Sequence, residues 1–149
     1  MLCTVLEPER HTLFGEWMAA KHSIHYTKLP AYFIAFDVFD KIAGKFLARG
    51  ALREFLEPTG IPIIHTITEA TLHSAREVLP FLETISIYGA QRDGAAETVA
   101  GSTVEGVYLR VDDGDWLSRR CKVVRPDFIQ GIEEHWMTRT LVKNQVSYH

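Results

Sequence analysis

The chain has 149 residues, of which 46% are hydrophobic and 23% charged, and its formal net charge is -3. A chain of this length can bury one sizeable core, so we predict a single domain over residues 1–149. The small negative charge excludes a global attraction to nucleic acid or anionic membranes, and any site for a polyanion must come from local clusters of Lys and Arg.

The cysteines and the apolar runs indicate where the protein works. Cys3 and Cys121 are far apart and form no CxxC pattern, which favours a reducing compartment and implies no zinc site. No apolar run approaches the ~18 residues that a membrane helix requires, and the N-terminus lacks a basic segment followed by an apolar core. We therefore expect a cytoplasmic protein with no membrane partner.

Two strands are predicted in the first 40 residues, over 13–18 (LFGEWM) and 31–40 (AYFIAFDVFD), from their aromatic and β-branched content. Strict alternation along the second strand puts Tyr32, Ile34, Phe36 and Val38 on one face and Phe33, Ala35, Asp37 and Phe39 on the other. The strand alone leaves Phe36 with two interpretations, a core residue or the wall of a pocket that stacks a flat ligand.

The middle of the chain predicts two helices around a strand. Leu52, Phe55 and Leu56 have helical spacing, and this helix should end at Pro58-Thr59-Gly60. Residues 61–67 (IPIIHTI) read as a buried strand with His65 hydrogen-bonded in the core. A second helix should begin at Thr68, with the apolar stripe Leu72, Ala75, Val78 and Leu79. Residues 88–104 read as a loop.

A β-hairpin is predicted over residues 105–124 (EGVYLRVDDGDWLSRRCKVV), because Asp113-Gly114 suits a two-residue turn. In that register Glu105 faces Lys122 and Val107 faces Arg120, so a carboxylate and two cations share one sheet face. A four-residue loop would give the same pairing. The two cations belong to a basic run that contains Arg119, Arg120, Lys122 and Arg125.

The last predicted element is an amphipathic helix that starts at Pro126 and carries Phe128, Ile132 and Trp136 on one face. Together these elements predict an α+β fold with mainly antiparallel sheets and flanking helices. The chain has neither a Walker A motif nor a GxGxxG after a strand, so side chains would have to hold any phosphate. It also lacks a GxSxG nucleophile motif, so nothing supports acyl transfer.

Four short motifs occur in a familiar order: LFGEW, YFIAFDVFD, EGVYLR and RCKVVRPDF. In this order the chain resembles the nucleotidyltransferase domain of ATP-dependent polynucleotide ligases, most closely the RNA ligases, where the four look like motifs III, IIIa, IV and V. The resemblance spans about residues 13–128 and implies a partial ligase-type adenylation domain.

The resemblance also implies ligands and residue roles. Such ligases attach AMP to an enzyme lysine, pass it to a 5′-phosphate and seal the RNA with a 3′-hydroxyl, using ATP and Mg²⁺. Each step transfers a group at phosphorus, where charge stabilisation dominates. By resemblance, Phe36 would stack on the adenine, Arg120 and Lys122 would contact the α-phosphate, Glu105 would hold the metal, and Glu16 would contact the ribose or metal. We expect all five to line one cleft.

The nucleophile of the family is missing from its usual place. It lies in a KxDG motif upstream of motif III, and residues 1–15 contain no lysine. We therefore expect the distal part of a longer ligase, inactive alone, or a degenerate relative, or a site that another chain completes. In the first case exposed apolar surface would favour self-association.

Other interpretations of the same residues stay open. Glu105 and Lys122 would form an exposed cross-strand ion pair of no function, and Phe36 would be core. A non-catalytic module that binds nucleotide or RNA ends is one alternative function. A GTP-using relative of the capping nucleotidyltransferases is another.

Overall fold

The computed structural model of the chain describes residues 5–21, 24–92, 102–126 and 142–147. Its contacts divide the chain into two compact units. The first unit comprises Met1–Trp17, Phe33–Ile64 and Leu109–Cys121, and the second comprises Met18–Tyr32, His65–Tyr108 and Lys122–His149. The single domain over residues 1–149 stays a prediction, and the predicted helix after Pro126 lies outside the described residues.

The described elements alternate short strands with short helices. In chain order the strands are β1 (His11–Trp17), β2 (Ile24–Tyr26), β3 (Phe33–Asp40), β4 (Lys45–Phe46), β5 (Ala90–Arg92), β6 (Gly106–Asp113) and β7 (Trp116–Val124). The α-helix α1 covers Arg49–Leu56, and 3₁₀ helices cover Glu57–Thr59 and Ala75–Glu83. The pairs β1-β3, β2-β5 and β3-β4 are antiparallel, and the α+β prediction is confirmed. Among the described residues, none of the helices is long and apolar enough to cross a membrane.

The first unit is built on an antiparallel sheet with the order β1-β3-β4. Both predicted strands are present with slightly different ends. Helix α1 packs on this sheet through Leu52 and Leu56, which are fully buried together with Ala35 and Val38 of β3. The predicted helix and its end are confirmed, since Gly60 follows the 3₁₀ turn with a φ of 68°.

A β-bulge interrupts strand β3 at Phe36. Phe14 faces Asp37 and the next residue of β1, Gly15, faces Ala35, which leaves Phe36 without a residue opposite it. The predicted strict alternation is therefore wrong. Ala35 and Val38 were expected on opposite faces, yet both lie in the same core cluster because the extra residue shifts the alternation.

Two predictions for residues 61–83 are wrong. Residues 61–67 form no strand beyond one bridge between Ala35 and Ile63, Pro62 lacks an N–H donor for a ladder, and His65 is exposed. No helix starts at Thr68. The 3₁₀ helix begins after Ser74, and Pro80 within it both removes a donor and disfavours the α conformation of Leu79.

The second unit contains a small sheet that the sequence did not indicate. Strand β2 pairs with β5, from Ile24 opposite Arg92 to Tyr26 opposite Ala90. The predicted loop over residues 88–104 therefore contains three residues of strand at 90–92, and residues 93–101 lie outside the described residues.

The predicted hairpin is confirmed, but its turn lies one residue later than expected. Strand β6 ends at Asp113 and β7 begins at Trp116, so the turn is Gly114-Asp115, and Gly114 has a φ of 56°. Counted from this turn, Lys122 would face Val107 instead of Glu105, two positions from the predicted pairing. A shift of two residues keeps the side chains on the same face. Gly106 accordingly lies against Val123.

Candidate functional site

The five predicted site residues divide between the two units. Glu16, Phe36 and Arg120 belong to the first unit, whereas Glu105 and Lys122 belong to the second. Strand β7 passes from one unit to the other between Cys121 and Lys122. The expected common cleft stays a prediction.

A buried carboxylate binds two arginines in the first unit. Asp37 of β3 is 0% exposed. Its Oδ1 accepts a hydrogen bond from Arg110 Nη1, and its Oδ2 accepts one from Arg120 Nη1 at 3.0 Å. A carboxylate is buried at a tolerable cost only when it is paired, and here two cations pair with one anion. Arg110 pairs in addition with Asp112 Oδ1 at 3.5 Å.

Arg110 is the more deeply held of the two arginines. Besides Asp37, it donates to the carbonyl oxygen of Phe36 at 3.2 Å and to that of Leu47 at 2.6 Å, and its side chain is only 11% exposed. It therefore ties the bulge at Phe36 to the start of α1.

Arg120 is the exposed member of the pair. Its side chain is 42% exposed, and its Cζ lies 4.0 Å from the centroid of the Phe46 ring. A guanidinium on a carboxylate and an aromatic ring keeps its charge and is held in one orientation, which suits recognition of a phosphate.

Phe36 is partly buried and lies outside the described core cluster of Ala35, Val38, Leu52 and Leu56. Its bulged backbone is fixed through the hydrogen bond from Arg110. Bulges re-aim side chains and are frequent next to active sites. These observations favour the pocket interpretation over the core interpretation, while the stacking role stays a prediction.

The glycine of the Gly15-Glu16 pair in β1 lies where a side chain would clash. A Cβ on Gly15 would lie 2.3 Å from the Phe33 ring and 2.8 Å from the Ile34 carbonyl oxygen. Phe33 therefore covers the strand at Gly15. Glu16 is exposed, and by alternation it shares the face of Phe14.

In the second unit, a tyrosine orients the predicted metal ligand. The Tyr26 hydroxyl donates to Glu105 Oε1 at 2.7 Å. The Tyr26 backbone N–H donates in turn to Oδ1 of Asn144, which is 3% exposed. Glu105 is partly buried, and its own carbonyl accepts the Arg125 N–H at 3.0 Å. Outer partners of this kind fix a ligating carboxylate.

Glu105 fits Mg²⁺ only when phosphate oxygens of a substrate supply further ligands. The described residues contain no group of three or more His, Cys, Asp or Glu that could hold a metal. Mg²⁺ is commonly held by one or two carboxylates together with substrate phosphates, and Glu105 suits that arrangement.

The members of the basic run differ in their contacts. Arg125 Nη1 donates to the Leu82 carbonyl at 3.0 Å and pairs with Glu83 at 3.1 Å, so it stabilises the second unit. Lys122 is exposed. Arg119 is exposed as well, and within the run the resemblance assigns Arg120 and Lys122 to the phosphate.

The sequence alone did not identify Asp37, Arg110 and Tyr26 as residues that hold the predicted site residues in place. Asp37 carried a signal, because an acidic residue within an apolar strand requires a cationic partner when it is buried. The identity of that partner depends on tertiary contacts between Asp37, Arg110 and Arg120, which are separated in the chain.

Comparison with known families agrees with the order of the motifs. A model of the RNA ligase family (described as "RNA ligase") matches residues 4–124, which is most of the chain and includes all five predicted site residues. No curated protein and no solved structure matches the chain significantly. With the four motifs and this match, the chain belongs to the RNA ligase family.

Proposed function

We propose that the chain is the distal part of an ATP-dependent RNA ligase adenylyltransferase domain, which joins a 5′-phosphate and a 3′-hydroxyl of RNA through transfer of AMP. The family match over residues 4–124 carries the proposal. The paired Arg120 and the bulged Phe36 support it, because they supply a fixed cation and an aromatic ring on strands of one unit.

In the first unit, Phe36 stacks on the adenine and Arg120 contacts the α-phosphate. In the transition state negative charge is spread over the α-phosphate oxygens and develops on the departing pyrophosphate, and a cation that is already oriented stabilises it without reorganisation. Asp37 maintains that orientation. Glu16 contacts the ribose or the metal.

In the second unit, Lys122 supplies a flexible point charge to the phosphate. Glu105, oriented by Tyr26, is the residue that would hold Mg²⁺. When bound, the ion would neutralise charge on the phosphate oxygens. RNA ends and ATP are the proposed substrates.

Calorimetric titration of the chain with ATP tests these roles. Phe36→Ala should weaken binding by about 1–3 kcal/mol, the range for one stacked base, while Phe36→Tyr keeps the ring and should bind nearly as well. Lys122→Ala should also weaken binding, whereas Lys143→Ala, at another exposed lysine of the same unit, should not.

The same titrations separate the proposal from a GTP-using relative. Preference for GTP over ATP would favour a capping-type relative. ATP affinity that neither Phe36→Ala nor Lys122→Ala changes would refute the assigned roles.

A further inference from the structure

Phe46 of β4 is held by aromatic neighbours on two sides. Its ring centroid lies 4.8 Å from that of Phe39, which faces it across the β3-β4 pair, and 5.6 Å from that of Phe14 on β1. All three residues belong to the sheet of the first unit. The Phe46 ring is thus fixed before any ligand binds.

Arg120 lies on this fixed ring. Its Cζ is 4.0 Å from the Phe46 centroid, while its Nη1 donates to Asp37 Oδ2. The guanidinium carbon thus lies over the ring while one of its nitrogens is held by the carboxylate. Contacts with two different partners restrict the orientation of the guanidinium more than one hydrogen bond would.

We infer that Phe46 is a positioning residue for Arg120, acting on the phosphate part of the nucleotide and not on its base. The inference rests on the proposed function, which assigns Arg120 to the α-phosphate. Phe46 touches no ligand in this role. It acts by keeping the Arg120 guanidinium oriented, so its removal should resemble partial loss of Arg120.

The ratio of AMP affinity to adenosine affinity isolates this effect, because it cancels base stacking and overall folding. Phe46→Leu keeps an apolar side chain and removes the aromatic face. It should lower the ratio about 3- to 10-fold, the size expected for a cation–π contact, and leave adenosine affinity unchanged. Arg120→Gln should lower the ratio further.

The double variant Phe46→Leu/Arg120→Gln should be no worse than Arg120→Gln alone, because a positioning residue loses its effect when the group it orients is absent. Phe55→Leu is the matched control. Phe55 is another partly buried aromatic of the first unit, and it packs against the core cluster and the His11 ring. It should leave the ratio unchanged.

Additive effects in the double variant, or an equal loss of AMP and adenosine affinity in Phe46→Leu, would overturn the inference. If the chain bound neither ligand, the proposed function would fail, and NMR would still test Phe46 in the free chain. The Arg120 Nε–Hε resonance should be displaced by the ring and should move to the position of mobile arginines in Phe46→Leu. An unchanged resonance would contradict the inference by itself.

Discussion

At the scale of single residues, the buried carboxylate of Asp37 holds two arginines of the first unit in place. A carboxylate with 0% exposure holds Arg110, which is 11% exposed, and Arg120, which is 42% exposed. The two arginines therefore differ in what they can do. Arg110 braces the backbone around the bulge, whereas Arg120 presents its charge to solvent or to a ligand.

Gly15 is a second position where one residue constrains its surroundings. We expect Gly15→Ala to lower the free energy of unfolding by about 1–3 kcal/mol, the usual cost of overpacking, because the new methyl group meets the Phe33 ring at 2.3 Å and the Ile34 carbonyl at 2.8 Å. Urea denaturation followed by fluorescence measures the change.

Gly50→Ala is the matched control for this substitution. A Cβ on Gly50 would meet nothing within 4 Å, and the residue lies in helix α1. The variant should be more stable than the parent by up to about 1 kcal/mol, since alanine loses less entropy in a helix. Equal effects of the two substitutions would show that Phe33 does not cover Gly15.

Asp40 predicts a pH dependence of stability. Hydrogen bonds from the Ala43 N–H, the Arg10 guanidinium and the Ile42 N–H hold the pKa of Asp40 at about 2. An unfolded Asp has a pKa of about 3.9, so this contribution is complete above about pH 4 and is lost as the pH falls toward about 2. The charged form is the one that the fold stabilises.

Comparison with Asp40→Asn isolates that contribution from the other carboxylates. The difference in free energy of unfolding between parent and variant should be constant from about pH 5 to pH 7 and should shrink between about pH 4 and pH 2. Chemical denaturation at a series of pH values measures it. A difference that did not change over the acidic range would exclude the assigned hydrogen bonds.

At the scale of elements, sequence patterns predicted the elements that depend on residues close together in the chain. The hairpin followed from Gly114 between two strand-like runs, and α1 followed from Leu52 and Leu56 at helical spacing. The bulge at Phe36 was not predictable in this way, because it depends on the pairing of β3 with β1. Strand β2 was also missed, since a strand of three residues is too short to show a detectable alternation.

Helix α1 shows how one element completes another. Its N-cap residue, Ala48, has no side chain that can accept a hydrogen bond, and the Arg49 N–H instead donates to Asp112 Oδ2 of the hairpin at 2.6 Å. A carboxylate at a helix N-terminus also interacts favourably with the helix dipole. The hairpin therefore supplies the cap that the helix sequence lacks.

We expect Asp112→Ala to lower the free energy of unfolding by about 1 kcal/mol, the typical value for loss of an N-cap. Asp113→Ala, at the exposed next position of β6, is the control and should have an effect within about 0.5 kcal/mol of zero. Thermal and urea denaturation of both variants measure the difference. Similar values for the two would mean that Asp112 does not cap α1.

At the scale of the whole molecule, the order of the motifs predicted the family, whereas the partners of the site residues required coordinates. LFGEW, YFIAFDVFD and EGVYLR place Glu16, Phe36 and Glu105 along the chain, but they do not reveal that Asp37 holds Arg120 or that Tyr26 holds Glu105. The motifs contain the residues that the resemblance assigns to a ligand. The residues that orient those groups are dispersed, and folding brings them together.

The chemistry of the family poses a problem for these residues acting alone, because attack on the α-phosphate needs a lysine in line with the departing pyrophosphate. Positioning supplies much of the rate, and a misplacement of ~1 Å can cost ~10²-fold. The sequence contains six lysines, and none of them begins a KxDG motif. Lys122 is assigned to the phosphate as a charge, and it cannot serve as both clamp and nucleophile.

We therefore expect the 149-residue chain, given α-labelled ATP and Mg²⁺, to form no lysine-AMP adduct and to seal no nick in RNA. Gel autoradiography after acid and base treatment distinguishes a phosphoramidate from bound nucleotide. Addition of a segment that carries KxDG, fused to the chain or as a second chain, should produce labelling, because the groups that bind and stabilise AMP would then meet their nucleophile. Stoichiometric, acid-labile labelling of the chain by itself would contradict this account and would require one of its six lysines to be mapped as the nucleophile.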